Sequence, residues 1–381
     1  MDFELSDEQK MLKEMASKFA VKEFTPVSRE CDREEKYTPE IRKKAAEYGL
    51  VGAWAPEEYG GAGAGILGNA IISEELSRVD MGIGLNIMAA SFGLEAIYFF
   101  GTEEQKQTYI RPVCSGEKVS AGAFTEPDAG TDVAGFRTRA VKDGDDYVVT
   151  GTKMFITNGT VCDFYVAQCI TNPEAEKKHD RFSQIIIPAD AKGVTRNKIT
   201  GKMGIRSSDT ADVSFDEVRV PRTNLVGREG AGFRQLMHFF DVTRLMVAAQ
   251  CVGLSQGCLD KTLQYVKERK AFGAPIGTYQ LSMAKLTEMA IRIELLRNLV
   301  YKAAWLMDAG RPDYTLSAMV KYFGGQTAVY CANAAVELHG GYGYIDEYAV
   351  QKFYRDAKIL EIYEGTKEAE TMTIGKVLLS R

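Results

Sequence analysis

The sequence predicts an α+β protein of three domains, in the order helical, β-rich, helical. Its 381 residues exceed what a single ordinary hydrophobic core accommodates. Apolar residues recur with helix spacing at both ends of the chain, whereas short runs rich in β-branched and aromatic residues fill the middle. We therefore expect an N-terminal helical domain at residues 1–118, a middle β-domain at 119–227 and a C-terminal helical bundle at 228–381.

Composition narrows the class of protein. The chain is 45% hydrophobic and 26% charged with a formal net charge of −5, and no Lys/Arg stripe predicts a nucleic-acid partner. Seven scattered cysteines without a C-x-x-C pair and three distant histidines argue against a disulfide framework or a metal site. The opening residues MDFELSDEQK contain neither a signal core nor an Arg-rich transit pattern.

Helix caps mark the N-terminal domain. Ser6 with Gln9, and Thr102 with Gln105, have the form of capping boxes, in which a hydroxyl and a side-chain amide satisfy free helix N–H groups. Because proline interrupts a helix, we expect the second of these helices to end before Pro112.

The run from Met81 to Phe100 is long and apolar enough to be tested as a membrane span. Glu95 is its only charged residue, but three glycines and two polar residues interrupt it and no basic flank follows. We interpret it as one helix buried in protein, and expect no membrane span.

Gly63, Gly65 and Gly68 have the spacing of a dinucleotide-binding motif. That motif requires a buried strand before it and a βαβ unit around it, whereas here WAPEEYGGA precedes and a helical pattern follows. We interpret the glycines as a loop that leads into a helix.

The middle domain is predicted from short strand-like runs separated by turn residues. Strands at this spacing are typical of a small barrel or sandwich. The runs are AGAF, YVVTG, MFIT, FYVAQCI, SQIII, DVSF and VRV.

The C-terminal domain is predicted as an antiparallel bundle, because long helical patterns are joined by short loops. The patterns cover residues 231–270, 280–309, 313–338 and 346–380.

The stretch YRDAKILEIYEGT, from Tyr354 to Thr366, holds the strongest catalytic candidate. It is predicted to be helical up to Gly365, with Glu364 directly before that break. A carboxylate between an aromatic ring and a glycine can lie in an apolar pocket, where burial makes it a usable proton acceptor. Taken alone, these residues favour a solvated glutamate at a helix end, and the rest of the chain reverses that preference.

Eight motifs in order resemble the acyl-CoA dehydrogenase family over essentially the whole chain. They are PEEYGG (Pro56–Gly61), FTEPDAGTD (Phe124–Asp132), KMFITNG (Lys153–Gly159), MGIRSSDTADVSF (Met203–Phe215), DVTR (Asp241–Arg244), ERKAFGAPI (Glu268–Ile276), HGGYGY (His339–Tyr344) and YRDAKILEIYEGT. The resemblance implies a helical domain, a β-domain and a four-helix bundle, FAD as cofactor, and a homotetramer. It also implies α,β-dehydrogenation of an acyl-CoA substrate, with electrons passed to electron-transferring flavoprotein.

The same resemblance assigns roles around the substrate. Glu364 is the implied base that removes the Cα proton, its own N–H and a flavin ribityl hydroxyl hold the thioester carbonyl, and flavin N5 accepts hydride from Cβ. Gly365 permits close approach of the substrate, and Asp241 and Arg244 hold the CoA arm. Thr243 lies where some relatives place the base, but threonine cannot do that work.

Further positions match FAD contacts of the family. Phe155 stands where many relatives have Trp, Glu337 stands where many have Gln, and Thr131 matches a residue that touches both FAD and CoA. The positions implied to bind FAD are Phe124, Thr125, Thr131, Phe155 and Thr157 in the middle domain, Arg269, Phe272 and Gln280 on a neighbouring subunit's FAD, and Glu337, Gly340, Gly341 and Thr366.

The acyl group is not determined by these residues. The resemblance implies that the helix around residues 86–96 lines part of the acyl pocket. Its segment Met88–Ser91 is mostly small and has no Arg to pair with a distal carboxylate, which disfavours glutaryl-type substrates. Short or medium straight chains come first, and cyclic or branched acyl-CoA second. Two alternatives stay open, namely an acyl-CoA oxidase-like flavoenzyme that uses O₂ and a non-catalytic assembly member of the fold. We expect a bacterial cytoplasmic location, or the mitochondrial matrix only for a processed eukaryotic form.

Overall fold

The computed structural model describes residues 4–380 and has the predicted order of a helical, a sheet and a second helical part. The predicted domain boundaries fall in connecting segments, the first between a helix ending at Cys114 and a strand beginning at Ser120. The predicted α+β fold class is confirmed.

The N-terminal part contains seven α-helices among the described residues. Both predicted capping boxes are present, at Ser6 and at Thr102. The prediction that the Thr102 helix ends before Pro112 is wrong, because this proline lies in the last turn, where its missing N–H removes a single helix bond. The helices are α1 (Asp7–Phe24), α2 (Ser28–Arg33), α3 (Pro39–Glu47), α4 (Gly65–Val79), α5 (Met81–Met88), α6 (Leu94–Phe100) and α7 (Glu103–Cys114).

The apolar run Met81–Phe100 is two helices and not one. A 3₁₀ turn at Ala89–Ser91 follows α5, and Gly93, with φ of 97°, begins α6. Ser120 Oγ lies within hydrogen-bond distance of the carbonyl of Ala90 in the turn and that of Phe92 directly after it, and donation to these carbonyls stabilises the break. Within residues 4–380 the run is the one stretch that could cross a bilayer by length and composition, yet 72% of its most apolar window is buried inside the protein.

The glycine-rich loop leads into α4, as predicted. The element before it is a 3₁₀ turn at Glu57–Tyr59 and not a strand. Gly65 has a left-handed φ of 65°, and a side chain there would meet the Asp308 carboxylate at 2.8 Å. Asp308 accepts hydrogen bonds from the backbone N–H groups of Ile66 and Leu67 at 2.7 and 2.9 Å. The loop therefore docks a helix end on the C-terminal domain.

The middle part is one mixed sheet of eight strands in the order β6-β7-β3-β2-β4-β5-β8, with β1 beside β4. Predicted runs merge, since YVVTG and MFIT form the single strand β3, and DVSF and VRV form β7. β6 was not predicted, because its residues VTRNK carry no apolar pattern. The strands are β1 (Ser120–Ala123), β2 (Arg139–Asp143), β3 (Asp146–Thr157), β4 (Phe164–Ile170), β5 (Phe182–Pro188), β6 (Val194–Lys198), β7 (Thr210–Pro221) and β8 (Leu225–Val226).

The C-terminal part is a helical bundle, and its first three predicted segments are confirmed. The fourth, at 346–380, is interrupted as predicted at Gly365, but the break begins earlier, because a 3₁₀ turn and a loop occupy residues 358–366. The elements are α8 (Gly232–Glu268), β9 (Lys270–Ala271), β10 (Ala274–Pro275), α9 (Gln280–Asp308), α10 (Tyr314–His339), α11 (Val350–Ala357) and α12 (Lys367–Leu379).

Two main apolar cores result. One is shared by the N-terminal and C-terminal helices, with α4 packed against α8, and it reaches only a few residues of β4, β5 and β8. The other lies within the middle sheet, between residues of β1 to β5 and β7. The helical parts thus form one packed unit beside a separately packed sheet.

Candidate active site

The loop between α11 and α12, which we call the base loop (residues 362–366), carries Glu364 in a strained conformation. Glu364 has φ of 55° and Gly365 has φ of 113°, both in the region that residues with a side chain rarely adopt. Thr366 then begins α12, because its hydroxyl accepts a hydrogen bond from the N–H of Ala369 at 3.2 Å. The local sequence thus ends one helix and starts the next within a few residues.

The Glu364 side chain is half-buried, and its carboxyl group is held by a neighbouring helix. Thr243 Oγ1 on α8 donates a hydrogen bond to Glu364 Oε2 at 2.5 Å. Burial raises the pKa of Glu364 to about 6, against the Thr243 hydrogen bond and the charges of Lys321 and Arg244, which lower it. Such a group is ionised at neutral pH and still binds a proton well, as a general base requires. The interpretation as a solvated helix-end glutamate is therefore wrong.

Charged side chains surround the base loop on three helices. On α8, Arg244 donates from Nε to Glu370 of α12 at 3.0 Å and from Nη1 to Asp241 at 3.1 Å. On α10, Lys321 donates from Nζ to the carbonyl of Gly365. Burial raises the pKa of Asp241 to about 6, with Arg244 opposing the rise. Arg244 is thus fixed by two carboxylates rather than free in solvent.

A second buried carboxyl group is that of Glu95 on α6, which lies near enough to Glu364 for the charge of Glu364 to raise its pKa. Burial is the larger cause and brings the pKa of Glu95 to about 7, although its Oε2 accepts a hydrogen bond from the Gly93 N–H at 3.0 Å. The small residues Ala89, Ala90 and Ser91, which the family resemblance implies lie beside the acyl group, are buried on the same apolar run.

In the middle sheet a buried ion pair organises the predicted flavin-facing loop. Lys153 Nζ, with no exposed surface, donates to Glu126 at 2.8 Å, to the Phe124 carbonyl at 3.0 Å and to the Gln168 carbonyl at 2.8 Å. Burial acts to lower the pKa of Lys153, and Glu126 opposes this. The ion pair thereby joins the FTEPDAGTD loop to β3 and β4.

Phe155 projects from β3 in a manner that packing within one chain does not explain. The pairing of β3 with β7 shifts between Lys153 and Ile156, and Phe155 within this irregularity has φ of 60° and 63% exposure. A strained backbone that exposes an aromatic ring is typical of a binding surface. The Met154 N–H donates to the Thr125 carbonyl at 2.8 Å, so the two predicted flavin loops are adjacent.

A cavity of about 490 Å³ lies at the end of α10. Arg269, Glu337, Gly340 and Gly341 from the sequence prediction all line it, and a Cβ added to either glycine would meet no atom within 4 Å. Arg269 stacks over Tyr342 at 5.5 Å from the ring centre. The Glu337 carboxylate is paired with Lys285 of α9, which leaves it less free to contact a ligand.

The other residues predicted to contact FAD do not line this cavity. Phe272 is 98% exposed, and Thr131 and Gln280 are also exposed, away from that cavity. The Phe124 ring is buried against Phe239, with ring centres 4.9 Å apart, so its side chain serves a local core. Thr157 ends β3 and is partly buried. The predicted FAD-contact roles of these residues stay predictions.

Sequence reasoning missed three charged residues of the site. Lys321 stands alone in the apolar pattern LSAMVKYFGG, and Glu95 is the only charge of its run, so an isolated charge on a buried helix face is the signal that could have found both. Lys153 lies between two predicted strand runs, and its burial depends on strand pairing that the sequence does not display. Glu370 on α12 is also fully buried, which its place in the sequence does not reveal.

Comparison with protein-family models gives a consistent result along the chain. The model of the acyl-CoA dehydrogenase N-terminal domain matches residues 6–117, that of the middle domain 121–218 and that of the C-terminal domain 230–379. Together they cover most of the sequence in the order of the three structural parts.

Similar proteins carry related descriptions. A probable acyl-CoA dehydrogenase, YngJ of Bacillus subtilis, is 41% identical and covered over 100% of both chains. A short-chain specific acyl-CoA dehydrogenase of Clostridium acetobutylicum is 41% identical over 99% of this chain and 100% of its own.

Two solved structures superpose over 100% of both chains. Butyryl-CoA dehydrogenase of Megasphaera elsdenii has a TM-score of 0.96 at 37% identity. A chain in a structure described as the electron transferring flavoprotein of Acidaminococcus fermentans has a TM-score of 0.97 at 40% identity.

Proposed function

Because the chain belongs to the acyl-CoA dehydrogenase family of flavoprotein oxidoreductases, we propose that it forms the α,β double bond of a short-chain acyl-CoA thioester, with Glu364 as the base. The observation that carries this proposal is the Glu364 carboxyl group, which is bonded to Thr243 and has its pKa raised by burial to about 6. A base of that strength is ionised at neutral pH and can accept the Cα proton at Oε1 or Oε2.

The residues around Glu364 are proposed to hold the thioester for that step. The left-handed φ of Glu364 and Gly365 turns the loop backbone, and Gly365 carries no side chain that would block an approaching acyl group. The N–H of Glu364 is the proposed donor to the thioester carbonyl, where it stabilises the charge that develops when the Cα proton leaves. Asp241 and Arg244 are the proposed contacts of the CoA arm.

FAD is the proposed cofactor, and the residues present fit it. Phe155 offers an exposed aromatic face, and Thr125 lies beside it through the backbone bond to Met154. The cavity near Arg269 combines a guanidinium group with the bare backbone of Gly340 and Gly341, which suits a pyrophosphate. When bound, FAD would supply the acceptor for the hydride that leaves Cβ, which carries both electrons of the oxidation.

A short straight acyl chain is the first substrate proposal, and a cyclic or branched acyl group is the second. The buried small residues Ala89, Ala90 and Ser91 leave room but offer no cation for a distal carboxylate. Relatives described as short-chain specific and as butyryl-CoA dehydrogenase support the first proposal.

Electron-transferring flavoprotein is the proposed electron acceptor and a homotetramer the proposed assembly. The similarity to a chain in an electron transferring flavoprotein structure supports the acceptor. Exposed apolar side chains on the C-terminal part, among them Phe272, Leu281 and Tyr344 at 98%, 82% and 85% exposure, support burial against further copies. Light scattering should then give four times the 42.1 kDa chain mass. Seven buried free thiols support a reducing compartment such as the bacterial cytoplasm.

The test is anaerobic bleaching of the flavin by butyryl-CoA in Glu364→Gln. We expect flavin and acyl-CoA binding to persist while the rate of reduction falls by ~10³-fold or more. The matched control is Glu361→Gln, which alters a carboxylate of the preceding turn that pairs with Lys358. Near-normal reduction in Glu364→Gln overturns the assignment of the base.

Two further measurements address the alternatives. A panel of straight, branched and cyclic acyl-CoA thioesters ranks the substrates by their rates of reduction. Stopped-flow mixing of the reduced enzyme with air tests the oxidase alternative, since a dehydrogenase should reoxidise slowly in air and rapidly with electron-transferring flavoprotein. Colourless protein that fails to take up FAD would support the non-catalytic alternative.

A further inference from the structure

Two buried charges of opposite sign contact the base loop from different helices. Lys321 on α10 is 1% exposed and donates to the carbonyl of Gly365. Glu370 on α12 has no exposed surface, and its Oε1 lies 2.0 Å from the position that a Cβ on Gly365 would take. Both groups therefore contact the residue that follows Glu364.

Neither charge is fully satisfied by its hydrogen bonds. The hydrogen-bond acceptor of Lys321 is a carbonyl and not a carboxylate, so its charge is balanced only through space. Glu370 accepts from Arg244 at 3.0 Å through Oε1, whereas its buried Oε2 has no hydrogen-bond partner within residues 4–380. Burying incompletely paired charges is costly, and simple packing would be served better by apolar side chains.

We propose that Lys321 and Glu370 are positioning residues for Glu364 and that they have opposite electrostatic effects on its carboxylate. Lys321 holds the Gly365 carbonyl, and Glu370 fixes Arg244 beside the base loop. Lys321 restrains the peptide after Glu364 and so maintains the left-handed turn that presents the carboxylate. Glu370 restrains Arg244 and fills the space beside Gly365. This inference rests on the proposed function of Glu364.

The charges that face Glu364 come from every element packed around the loop. The positive charges of Lys321 and Arg244 favour the ionised form of Glu364, whereas Glu370 favours the protonated form. Glu95 on α6 is a further carboxyl group within range, and its own pKa is raised by Glu364. The remaining titratable neighbours are Tyr363 on the loop, and Asp241 and Cys251 on α8, which face Glu370 and Lys321 respectively.

The opposition in sign distinguishes positioning from a merely structural role. Loss of structure would lower stability and rate in both variants. An electrostatic role instead predicts that Lys321→Met raises the pKa of Glu364 by about 1 unit and that Glu370→Gln lowers it by about 1 unit. Lys321→Arg keeps the positive charge, so the pKa of Glu364 in this variant should stay close to its wild-type value. Lys358→Met is the control, because Lys358 is a half-exposed cation on the preceding turn, paired with Glu361.

Two readouts test this on the full-length protein. The first is the pH profile of anaerobic flavin reduction by butyryl-CoA. The second needs no turnover, and follows the infrared carboxyl band of Glu364 with pH, isolated as the difference between each background and the same background carrying Glu364→Gln. Shifts of one sign in both variants, or no shift in either, overturn the inference. Glu370→Gln keeps the size and the Arg244 contact, so this arm remains decisive if Lys321→Met does not fold.

The outcomes separate this inference from the proposed function. If Glu364→Gln retains rapid reduction, the assignment of the base fails, while the infrared titration still measures the two electrostatic effects. If Glu364→Gln loses reduction and the two pKa shifts do not oppose each other, only the present inference fails.

Discussion

Replacement of Lys153 by methionine should open the middle sheet locally without unfolding the helical parts. Lys153 is fully buried and donates three hydrogen bonds, to Glu126, to Phe124 and to Gln168. Methionine fills a similar volume but leaves the Glu126 carboxylate without its cation and the two carbonyls without that donor. Glu126 keeps only the backbone N–H groups of Arg137 and Thr138, at 2.6 and 2.9 Å.

Removing one partner of a buried ion pair costs about 3–5 kcal/mol, because the other charge stays buried. Lys153→Met should therefore lose ~3–5 kcal/mol of local stability. Lys153→Met with Glu126→Gln should recover roughly half of it, since glutamine carries no buried charge and its single amide oxygen keeps one of the two N–H bonds that Oε1 and Oε2 of Glu126 accept separately. The control Lys142→Met, in the same domain as Lys153, breaks a partly exposed pair with Glu229, just beyond that domain, and should cost at most about 1 kcal/mol.

Hydrogen exchange measured by mass spectrometry is the suitable assay. The chain has two tryptophans, Trp54 and Trp305, and neither lies in residues 119–227, so intrinsic fluorescence does not report on this domain. Peptides from β1, β3 and β4 should lose protection in Lys153→Met, whereas peptides from 350–380 should not. Equal loss in Lys153→Met and Lys142→Met, or no recovery in the double variant, would refute the reasoning.

Three further predictions concern the site. Gly365→Ala should slow flavin reduction by about 100-fold, because an alanine side chain is strained at φ of 113° and would clash with Glu370, which displaces the base loop. The control Gly310→Ala, at φ of 65° and with no atom within 4 Å of the added Cβ, should leave the rate unchanged. Anaerobic stopped flow measures both rates. Glu95 binds its proton more tightly when folded, so its stabilising contribution is complete below about pH 4.5 and is lost as pH rises through about 7. Glu95→Gln should therefore be more stable than wild type at pH 8 by up to ~3 kcal/mol, and the difference in stability between the two proteins should be smaller at pH 4. Thermal unfolding of both proteins at both pH values checks this. Phe155→Ala should weaken FAD binding by about 10-fold in a fluorescence titration. The thermal stability of the flavin-free protein should change little, because the ring is 63% exposed. An unchanged affinity for FAD would contradict the role of Phe155.

The parts of the fold that depend on local chemistry could be predicted from the sequence. The capping boxes at Ser6 and Thr102 act within four residues, and the long helices α8, α9 and α10 follow from apolar periodicity alone. Pro112 shows the limit of such reasoning, since a proline in a last helical turn removes only one bond and does not end the helix earlier.

The parts that depend on distant contacts could not be predicted. The break at Gly93 is held by Ser120 of another domain, and the polar strand β6 exists because β7 offers it a partner. In the site, periodicity predicted a helix through Glu364, whereas contacts with Thr243 and Lys321 hold that residue in a left-handed turn. The identity of Glu364 as the candidate base was accessible from motifs, but the charges that tune it were not.

The division of the molecule into two packed cores has an evolutionary consequence. The segment Ala89–Ser91 and the turn that bears Glu364 rest on the shared helical core, whereas Phe155 and Thr157 extend from the sheet with its own interior. Under the proposed function, in which residues 89–91 lie beside the acyl group, exchanges of these side chains should change the fit of the substrate while the sheet stays intact. Diversification toward new acyl groups should need few mutational steps, whereas abandoning the flavin would require rebuilding a different layer of the protein.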